Sequence, residues 1–326
     1  MLPEPPEVRI RAAMAWTGGE LLVWGGFEFT GYSDESAQGN GFAFSAASRS
    51  WQPLGDSPLT PRAYPASAWT GEELLVWGGS DRRQERFFDD GAAYDPETEA
   101  WRTLPPAPIA ARAPLSVWTG DELLVWGTAL RMNPRPHDGA AYDPRSDSWR
   151  TIADAPIELT DATAVWTGEE MVVFGAALHG GNFPETKTAI GAAYDPEADT
   201  WRRLPDSALS PQASTAAWAG RELVAWDYLN GTAAYEPREN RWRALDDVPL
   251  DSGECSPESA AMGGTVLGNS CGLLARYDET ADEWSDIAGH EHLYWNFELV
   301  AADPVFLLLG RNAETDGRRL LAYRPG

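Results

Sequence analysis

One short phrase of sequence recurs along this chain, and its repetition constrains the fold more than any other feature. The phrase reads Trp-Thr-Gly or Trp-Ala-Gly at five places: Trp16, Trp69, Trp118, Trp166 and Trp218. A second pattern keeps the same period, because six aromatic residues are each followed seven positions later by a tryptophan. These six residues are Phe44, Tyr94, Tyr142, Tyr194, Tyr235 and Tyr277, and Tyr323 is a seventh of the same kind, spaced 41 to 52 residues apart. A period of this size indicates one supersecondary unit copied many times.

The second unit shows what one copy predicts. Residues 66–70 are short and half apolar, residues 74–77 are a continuous apolar run of strand length, and Gly71-Glu72 between them suits a tight turn. Residues 92–94 and 101–104 give two further short strands, and nothing between the four has a helical period. The Asx-Gly pairs that precede third strands, such as Asp90-Gly91, are interpreted as turn residues. Four short antiparallel strands per period describe one blade of a β-propeller.

These motifs resemble the kelch repeat. Gly25-Gly26 and Gly78-Gly79 close second strands, Tyr-Asp-Pro stands in third strands, and a tryptophan follows seven residues after the tyrosine. Later units depart from the pattern, since units 3 and 4 keep only Gly127 and Gly175, and unit 5 has Asp227. The resemblance covers essentially the whole chain and implies the fold. It does not imply one function, because kelch propellers include partner-binding modules, oxidases and sugar-modifying enzymes.

The expected fold is therefore an all-β, seven-bladed kelch-type β-propeller with four-stranded antiparallel blades and an incomplete seventh blade. The alternative is six blades followed by a C-terminal extension. We expect a single domain over residues 1–326, with blades at 12–54, 65–104, 114–152, 161–204, 214–245, 257–287 and 295–324 and closure by segment 1–10. Residues 2–6 match residues 104–108, which follow a fourth strand. The fourth strand of blade 7 is thus expected from residues before Met1 in a parent protein, and the alternative is that this blade stays three-stranded.

Composition restricts the partners. The chain has 25 basic and 50 acidic residues and a net charge of −25, which argues against nucleic-acid binding. No apolar run exceeds strand length, so no membrane insertion is expected. Cys255 and Cys271 fall in loops on one face of one blade, where a disulfide would indicate an oxidising compartment. An extracellular or cell-envelope location with a removed signal segment is favoured, and two free thiols in the cytoplasm are the alternative. We expect a monomer without a cofactor.

Arginines concentrate on the face where the loops between second and third strands and the loops between blades emerge. The candidate ligand-binding arginines are Arg62, Arg82, Arg112, Arg131 and Arg135. Guanidinium groups suit carboxylate, sulfate or phosphate groups, so these residues predict an anion site. The alternative is that they pair with acidic neighbours such as Asp90.

Four histidines fall on the same face: His137, His179, His290 and His292. Trp295, which lies outside the repeat register, accompanies His292 as a candidate ligand contact from unit 7. No metal site is expected. The first hypothesis is a binding module that recognises a protein, a glycan or an anionic ligand around the central channel. The alternative is an isomerase, lyase or hydrolase of an acidic sugar, with Tyr64, His137 and His179 as acid–base residues.

Overall fold

A computed structural model describes residues 2–29, 34–81, 86–127, 137–176, 188–210, 215–227, 231–250, 258–270, 273–287, 298–312, 315 and 317–325. These residues form β-strands and turns, and the described part of the chain contains no helix. The described residues therefore include no helix that could cross a membrane.

The described residues contain thirty strands. The first fifteen are β1 (Arg9–Ile10), β2 (Ala13–Trp16), β3 (Glu20–Trp24), β4 (Phe27–Phe29), β5 (Asp34–Ala37), β6 (Gly41–Ser45), β7 (Ser50–Pro53), β8 (Ala66–Trp69), β9 (Leu74–Trp77), β10 (Gly91–Asp95), β11 (Ala100–Thr103), β12 (Leu115–Trp118), β13 (Leu123–Trp126), β14 (Gly139–Asp143) and β15 (Ser148–Ile152). The others are β16 (Thr160–Trp166), β17 (Met171–Ala176), β18 (Ile190–Asp195), β19 (Thr200–Arg203), β20 (Thr215–Trp218), β21 (Leu223–Trp226), β22 (Thr232–Glu236), β23 (Arg241–Ala244), β24 (Glu258–Met262), β25 (Thr265–Ser270), β26 (Leu273–Asp278), β27 (Glu283–Asp286), β28 (Glu298–Ala302), β29 (Val305–Arg311) and β30 (Arg318–Tyr323).

The strands form seven blades and one small additional sheet. Blades 1 to 6 are four-stranded: β2-β3-β6-β7, β8-β9-β10-β11, β12-β13-β14-β15, β16-β17-β18-β19, β20-β21-β22-β23 and β24-β25-β26-β27. Blade 7 contains β28, β29 and β30, and the additional sheet contains β1, β4 and β5. The first strands of successive blades contact each other around a complete circle, with β28 of blade 7 against β2 of blade 1. The predicted seven-bladed β-propeller is therefore confirmed.

Blade 7 keeps the repeat register although it has three strands. Phe306 pairs with Tyr323, just as Leu74 pairs with Tyr94 in blade 2. Segment 305–309, which the six-blade alternative would leave outside a blade, pairs on both sides within blade 7.

The N-terminal segment bridges blades 7 and 1 through side chains rather than as a strand of blade 7. Leu2 packs in the apolar cluster between the two blades, and Arg319 donates to a carboxylate oxygen of Glu4 at 2.8 Å. Trp51 Nε1 donates to the carbonyl of Pro3 at 3.3 Å. Among the described residues of segment 1–10, only Arg9–Ile10 is in a strand, and it pairs with β4 of the additional sheet.

The core of the protein lies between neighbouring blades. The tryptophan that ends a second strand is buried against the fourth-strand tryptophan of the next blade, as for Trp77 and Trp149, whose ring centroids are 5.5 Å apart. The fourth-strand indole also donates to the backbone segment that leaves the preceding blade: Trp149 Nε1 lies 3.1 Å from the carbonyl of Pro105. The repeated tryptophans therefore pack the blades together.

A repeated ion-pair network joins four blade junctions on the face of the short turns, here called the lower face. Its arginines, the lower-face arginines, lie in fourth strands: Arg102, Arg150, Arg202 and Arg243. Arg150 is representative, because it donates to Glu122 of its own blade at 2.6 Å and to the Tyr194 hydroxyl of the next blade at 3.4 Å. Tyr194 in turn donates to Asp199 at 2.8 Å, and burial, moderated by Arg150, raises the pKa of Tyr194 to about 12.

Candidate functional site

The face opposite, here called the upper face, carries the loops that hold the sequence-predicted site, and two of the predicted arginines are buried there. The Arg62 side chain is 0% exposed and donates to both carboxylate oxygens of Asp90, at 2.7 and 3.2 Å. Its Nε and Nη1 atoms also donate to the carbonyls of Thr60 and Gly78. The guanidinium group is thus fully engaged by the protein.

Arg112 repeats this arrangement in blade 3. Its side chain is 2% exposed and donates to the Asp138 carboxylate at 2.8 and 3.0 Å. These hydrogen bonds hold the pKa of Asp138 below its usual value. Arg9 of the additional sheet is also buried and donates to the side-chain oxygen of Asn40 at 2.9 Å and to a carboxylate oxygen of Glu7.

These three buried arginines, Arg9, Arg62 and Arg112, bear on two interpretations of the sequence: the role of the Asx-Gly pairs and the charge of the upper face. Asp90 and its counterparts are ion-pair or hydrogen-bond partners of arginine as well as turn residues. Arg62 and Arg112 add no free positive charge to the upper face, because Asp90 and Asp138 neutralise them. A ligand would have to displace these partners, so direct contact with Arg62 or Arg112 stays a prediction that the burial of both side chains disfavours.

The other predicted residues divide between described and undescribed parts of the chain. The His137 side chain is 50% exposed on the rim of blade 3, with Nε2 3.9 Å from a carboxylate oxygen of Asp154. Tyr64 lies beside the first strand of blade 2, with its ring 5.8 Å from that of Phe27. The structure therefore does not bring His137 and Tyr64 together by any contact. The remaining predicted residues lie outside the described residues: Arg82, Arg131, Arg135, His179, Cys255, Cys271, His292 and Trp295.

Tyr64 belongs to a charged cluster that the sequence did not reveal, here called the mouth cluster: Arg11, Tyr64, Glu258 and Glu298. Arg11 of blade 1 has its guanidinium 3.5 Å from a carboxylate oxygen of Glu258 in blade 6. Its backbone N–H donates to Glu298 of blade 7 at 2.6 Å, and its guanidinium carbon lies 5.8 Å from the centroid of the Tyr64 ring in blade 2. Blades 2 and 6 are not neighbours, so these contacts place Arg11 at the central channel. All four residues stand at or before the start of first strands, which puts them at its upper mouth.

The glutamates of this cluster break the repeat at one defined position. The first-strand residue that pairs with the end of the second strand is Ala13 in blade 1, Ala66 in blade 2 and Leu115 in blade 3. The equivalent residue is Glu258 in blade 6 and Glu298 in blade 7. Two adjacent blades therefore present carboxylates where three others present buried apolar side chains.

The backbone of the cluster is also unusual. Eight described non-glycine residues have positive φ, and six of them occupy the same turn between third and fourth strands: Arg49, Glu99, Asp147, Asp199, Asn240 and Asp282. The other two are Arg11, at 57°, and Tyr64, at 55°, and the Tyr64 N–H donates to the Arg11 carbonyl at 2.9 Å. Left-handed conformations of such residues cost energy and concentrate at functional sites.

Electrostatics separates the mouth cluster from the ion pairs elsewhere. Burial, and then the negative charge of Glu298, raise the pKa of Glu258 to about 8, although Arg11 acts in the opposite direction. The side chains nevertheless remain accessible, since 44% of Arg11 and 24% of Glu258 are exposed. A carboxyl group with a raised pKa in an accessible recess is a common property of binding and catalytic sites.

Comparison with known proteins supports the fold. The sequence profile of the kelch motif matches residues 61–108, which span blade 2. Blade 2 thus carries a kelch motif, and the chain folds as a β-propeller. The propeller is also similar to a solved structure described as a fungal alcohol oxidase of the AA5 family in complex with copper. The two share 12% sequence identity with a TM-score of 0.72, over 100% of this chain and 76% of the oxidase chain. Identity at this level shows a shared fold alone. No curated protein matches the sequence.

The described residues at the channel mouth differ from the ligands that copper prefers. Copper in proteins favours imidazole and thiolate ligands, whereas the mouth cluster offers carboxylates, a phenol and a guanidinium. Within the described part of the chain, no three His, Cys, Asp or Glu side chains are grouped so that they could hold a metal ion. These residues therefore do not fit a copper centre.

The sequence analysis names Tyr64 as a candidate acid–base residue and does not name Arg11, Glu258 or Glu298. The signal for the glutamates was available, because alignment of the first strands places Glu258 and Glu298 at the position of Ala66. Arg11 carried no signal, since its role depends on which blades meet across the ring.

Proposed function

We propose that this kelch propeller is a binding module that holds a polar ligand, a glycan or a side chain of a protein partner, at the upper mouth of its channel. The observation that carries the proposal is the convergence of four blades on the mouth cluster, where the repeat is broken. Loops and strand ends on a rigid propeller are suited to this role, because the scaffold fixes the side chains while sequence changes leave the fold intact.

Two properties of the cluster favour binding. Glutamate, arginine and tyrosine side chains supply hydrogen-bond donors and acceptors within one recess, as ligand sites require. The 44% exposure of Arg11 leaves these groups accessible to a ligand. An enzymatic alternative, acid–base chemistry on an acidic sugar, has less support, because among the described candidates His137 lies on the rim and Tyr64 at the mouth.

The test is a screen of monosaccharides, uronic acids, amino sugars and capped amino acids by ligand-observed NMR, followed by soaking of each hit into crystals. We expect hits within hydrogen-bond distance of the mouth cluster. Binding should weaken at least about tenfold in Glu298→Gln, since loss of one charged hydrogen bond removes ~1.5–3 kcal/mol. Glu97→Gln, an exposed change in a lower-face turn, is the matched control.

A cavity on the lower face is another place where the screened compounds could bind. The lower face has a cavity of about 490 Å³ between blades 4 and 5, lined by residues that include Thr167, Trp218 and Arg221. Hits that occupy this cavity and leave the mouth empty would contradict the proposal.

A further inference from the structure

We propose that the ligand of the mouth carries an organic cation, a primary ammonium or guanidinium group, which binds between Glu258, Glu298 and Tyr64 where the guanidinium of Arg11 now lies. This inference rests on the proposed function and names the chemical class of its ligand. It departs from the anionic ligand that the arginine content of the upper face suggests.

The balance of charge at the mouth favours a cation. Two carboxyl groups, Glu258 and Glu298, lie beside one guanidinium, so the mouth gains net negative charge when Glu258 ionises, and the chain as a whole carries −25. Arg62 and Arg112 do not offset this charge, because each is buried against an aspartate. A strongly negative protein attracts cations and repels anions at long range, and a cation at the mouth favours the ionised form of Glu258.

The Arg11 guanidinium shows that the channel mouth accepts an organic cation. The contacts that hold this guanidinium in place are weak. Its guanidinium lies 3.5 Å from Glu258 and its side chain is 44% exposed. Arg243, on the lower face, lies 2.5 Å from Glu222 and its side chain is 24% exposed. Displacing the Arg11 guanidinium therefore gives up its 3.5 Å contact with Glu258 and its contact with the Tyr64 ring, and the displaced side chain can extend into solvent.

Tyr64 adds an aromatic surface to the two carboxylates. The guanidinium carbon of Arg11 is 5.8 Å from the ring centroid, within the range of a cation–π interaction. The left-handed backbone of Tyr64, together with its hydrogen bond to the Arg11 carbonyl, fixes the ring beside the recess. Carboxylates beside an aromatic ring are a chemistry that binds ammonium and guanidinium groups and offers little to an anion.

Proton linkage provides a distinctive signature. Glu258 is about half protonated near pH 8, and a bound cation stabilises its ionised form. Binding of a cation should therefore release protons and should strengthen as the pH rises through this range. The other charged groups that face Glu258 are Glu298 and Arg11, and Arg11 stays cationic throughout.

The experiment measures binding of six probes by calorimetry. The cationic probes are glucosamine, Nα-acetyl-lysine amide and Nα-acetyl-arginine amide. N-acetylglucosamine and N-acetyl-norleucine amide are their neutral counterparts, and glucuronate is the anion. We expect the cations to bind at least about tenfold more tightly than their neutral counterparts, and the affinity of the lysine and arginine probes, which stay protonated, to rise between about pH 6 and pH 9. Glucosamine is compared with its neutral counterpart at about pH 6, because its amino group loses its proton at higher pH. The sugar arm and the amino-acid arms distinguish an amino sugar from a basic side chain as the source of the cation.

Three variants test the geometry. Glu258→Gln and Glu298→Gln should each weaken cation binding about tenfold or more. Arg11→Gln should strengthen it, because the internal competitor is gone, whereas a role for Arg11 in binding an anion predicts that glucuronate binding is lost. Glu283→Gln, an exposed change on the fourth strand of blade 6, is the matched control. Thermal unfolding of each variant checks that the propeller is intact.

The alternatives are separable. Tighter binding of glucuronate than of the cations, equal binding of charged and neutral probes, or no cation binding at about 10 mM overturns the inference. Cation binding that persists in the Glu258→Gln, Glu298→Gln double variant overturns it as well. A neutral or anionic probe that binds at the mouth in crystals leaves the proposed function standing, and hits confined to the lower-face cavity remove both.

Discussion

The lower face and the channel mouth of this propeller use the same residue types in opposite ways. On the lower face, Arg102 and Arg202 contact Glu73 and Glu170 at 2.6 and 2.5 Å, and this pairing recurs at four junctions. At the mouth, the Arg11 guanidinium lies 3.5 Å from Glu258, and Glu298 accepts from the Arg11 backbone N–H. Where the sequence repeats, its charges are matched within the fold. Where the repeat is broken, two carboxyl groups stand beside one guanidinium, and a further cation can bind when Glu258 ionises.

The strongest test of this comparison is to break a matched pair in the interior. Arg62→Leu should destabilise the protein by about 3 kcal/mol, because the Asp90 carboxylate and three backbone carbonyls lose their partner. Urea unfolding measures the change, and Arg86→Leu, at an exposed position, is the control. A loss below about 1 kcal/mol would mean that the buried arginines are not structural. It would restore Arg62 and Arg112 as candidate ligand contacts.

A lower-face pair should matter less, because it is partly exposed. Arg243→Met keeps much of the apolar stem but removes the hydrogen bonds to Glu222, Asp282 and Tyr277, which should cost about 1–2 kcal/mol. Burial and Asp282 raise the pKa of Tyr277 and Arg243 lowers it, so the variant should titrate this tyrosine at still higher pH. Urea unfolding and ultraviolet titration measure the two effects. Arg238→Met, an exposed change, should leave both values unchanged.

The mouth should show the reverse sign, since removing a charge there relieves repulsion. The Glu258 pKa rises from 4.5 in the unfolded chain to about 8 in the folded protein, so the folded state holds the extra proton between these values. Stability of the wild type should therefore fall as the pH rises through this window. Glu258→Gln should abolish that fall and gain about 1 kcal/mol at about pH 9 relative to the wild type. Thermal unfolding at several pH values measures it, and parallel curves for the two proteins would refute the coupling.

The smallest effect comes from repairing a junction where the lower-face pair is absent. Gln52 of blade 1 occupies the position of Arg102, while Glu20, Tyr94 and Glu99 occupy those of its partners. Gln52→Arg should therefore add the missing network and stabilise the protein by about 0.5 kcal/mol at low salt, with less effect at high salt. The same change at Ser285 of blade 6, which has Thr265 instead of glutamate opposite, is the matched control and should give no gain.

The fold could be predicted from sequence because its determinants are local and repeated. The spacing from Tyr94 to Trp101 sets a turn and a strand pair, and Phe306 with Tyr323 carries the same register into blade 7. The burial of Arg62 could not be predicted, because an arginine with acidic neighbours in sequence looks the same whether its side chain is buried in an ion pair or exposed to a ligand. Ligand contact by Arg62 stays a prediction. The mouth cluster was missed because Arg11 and Glu258 are distant in sequence and meet only when the ring closes.

The hydrogen bond from Trp149 to Pro105 has a consequence for how such chains can be lengthened or shortened. In blades 1 to 5 the fourth-strand indole donates to a backbone carbonyl of the segment that precedes its own blade, whereas the Trp284 indole of blade 6 has no partner among the described residues. Each of these five blades therefore depends on an acceptor that lies outside its own four strands. A duplication that copied one blade with its exit segment would present both halves of the bond in register. A deletion that begins or ends within a blade would leave an indole without its acceptor on one side and a carbonyl without its donor on the other. Gene rearrangements that respect the exit segments should therefore outlast those that cut elsewhere, whatever ligand the mouth binds.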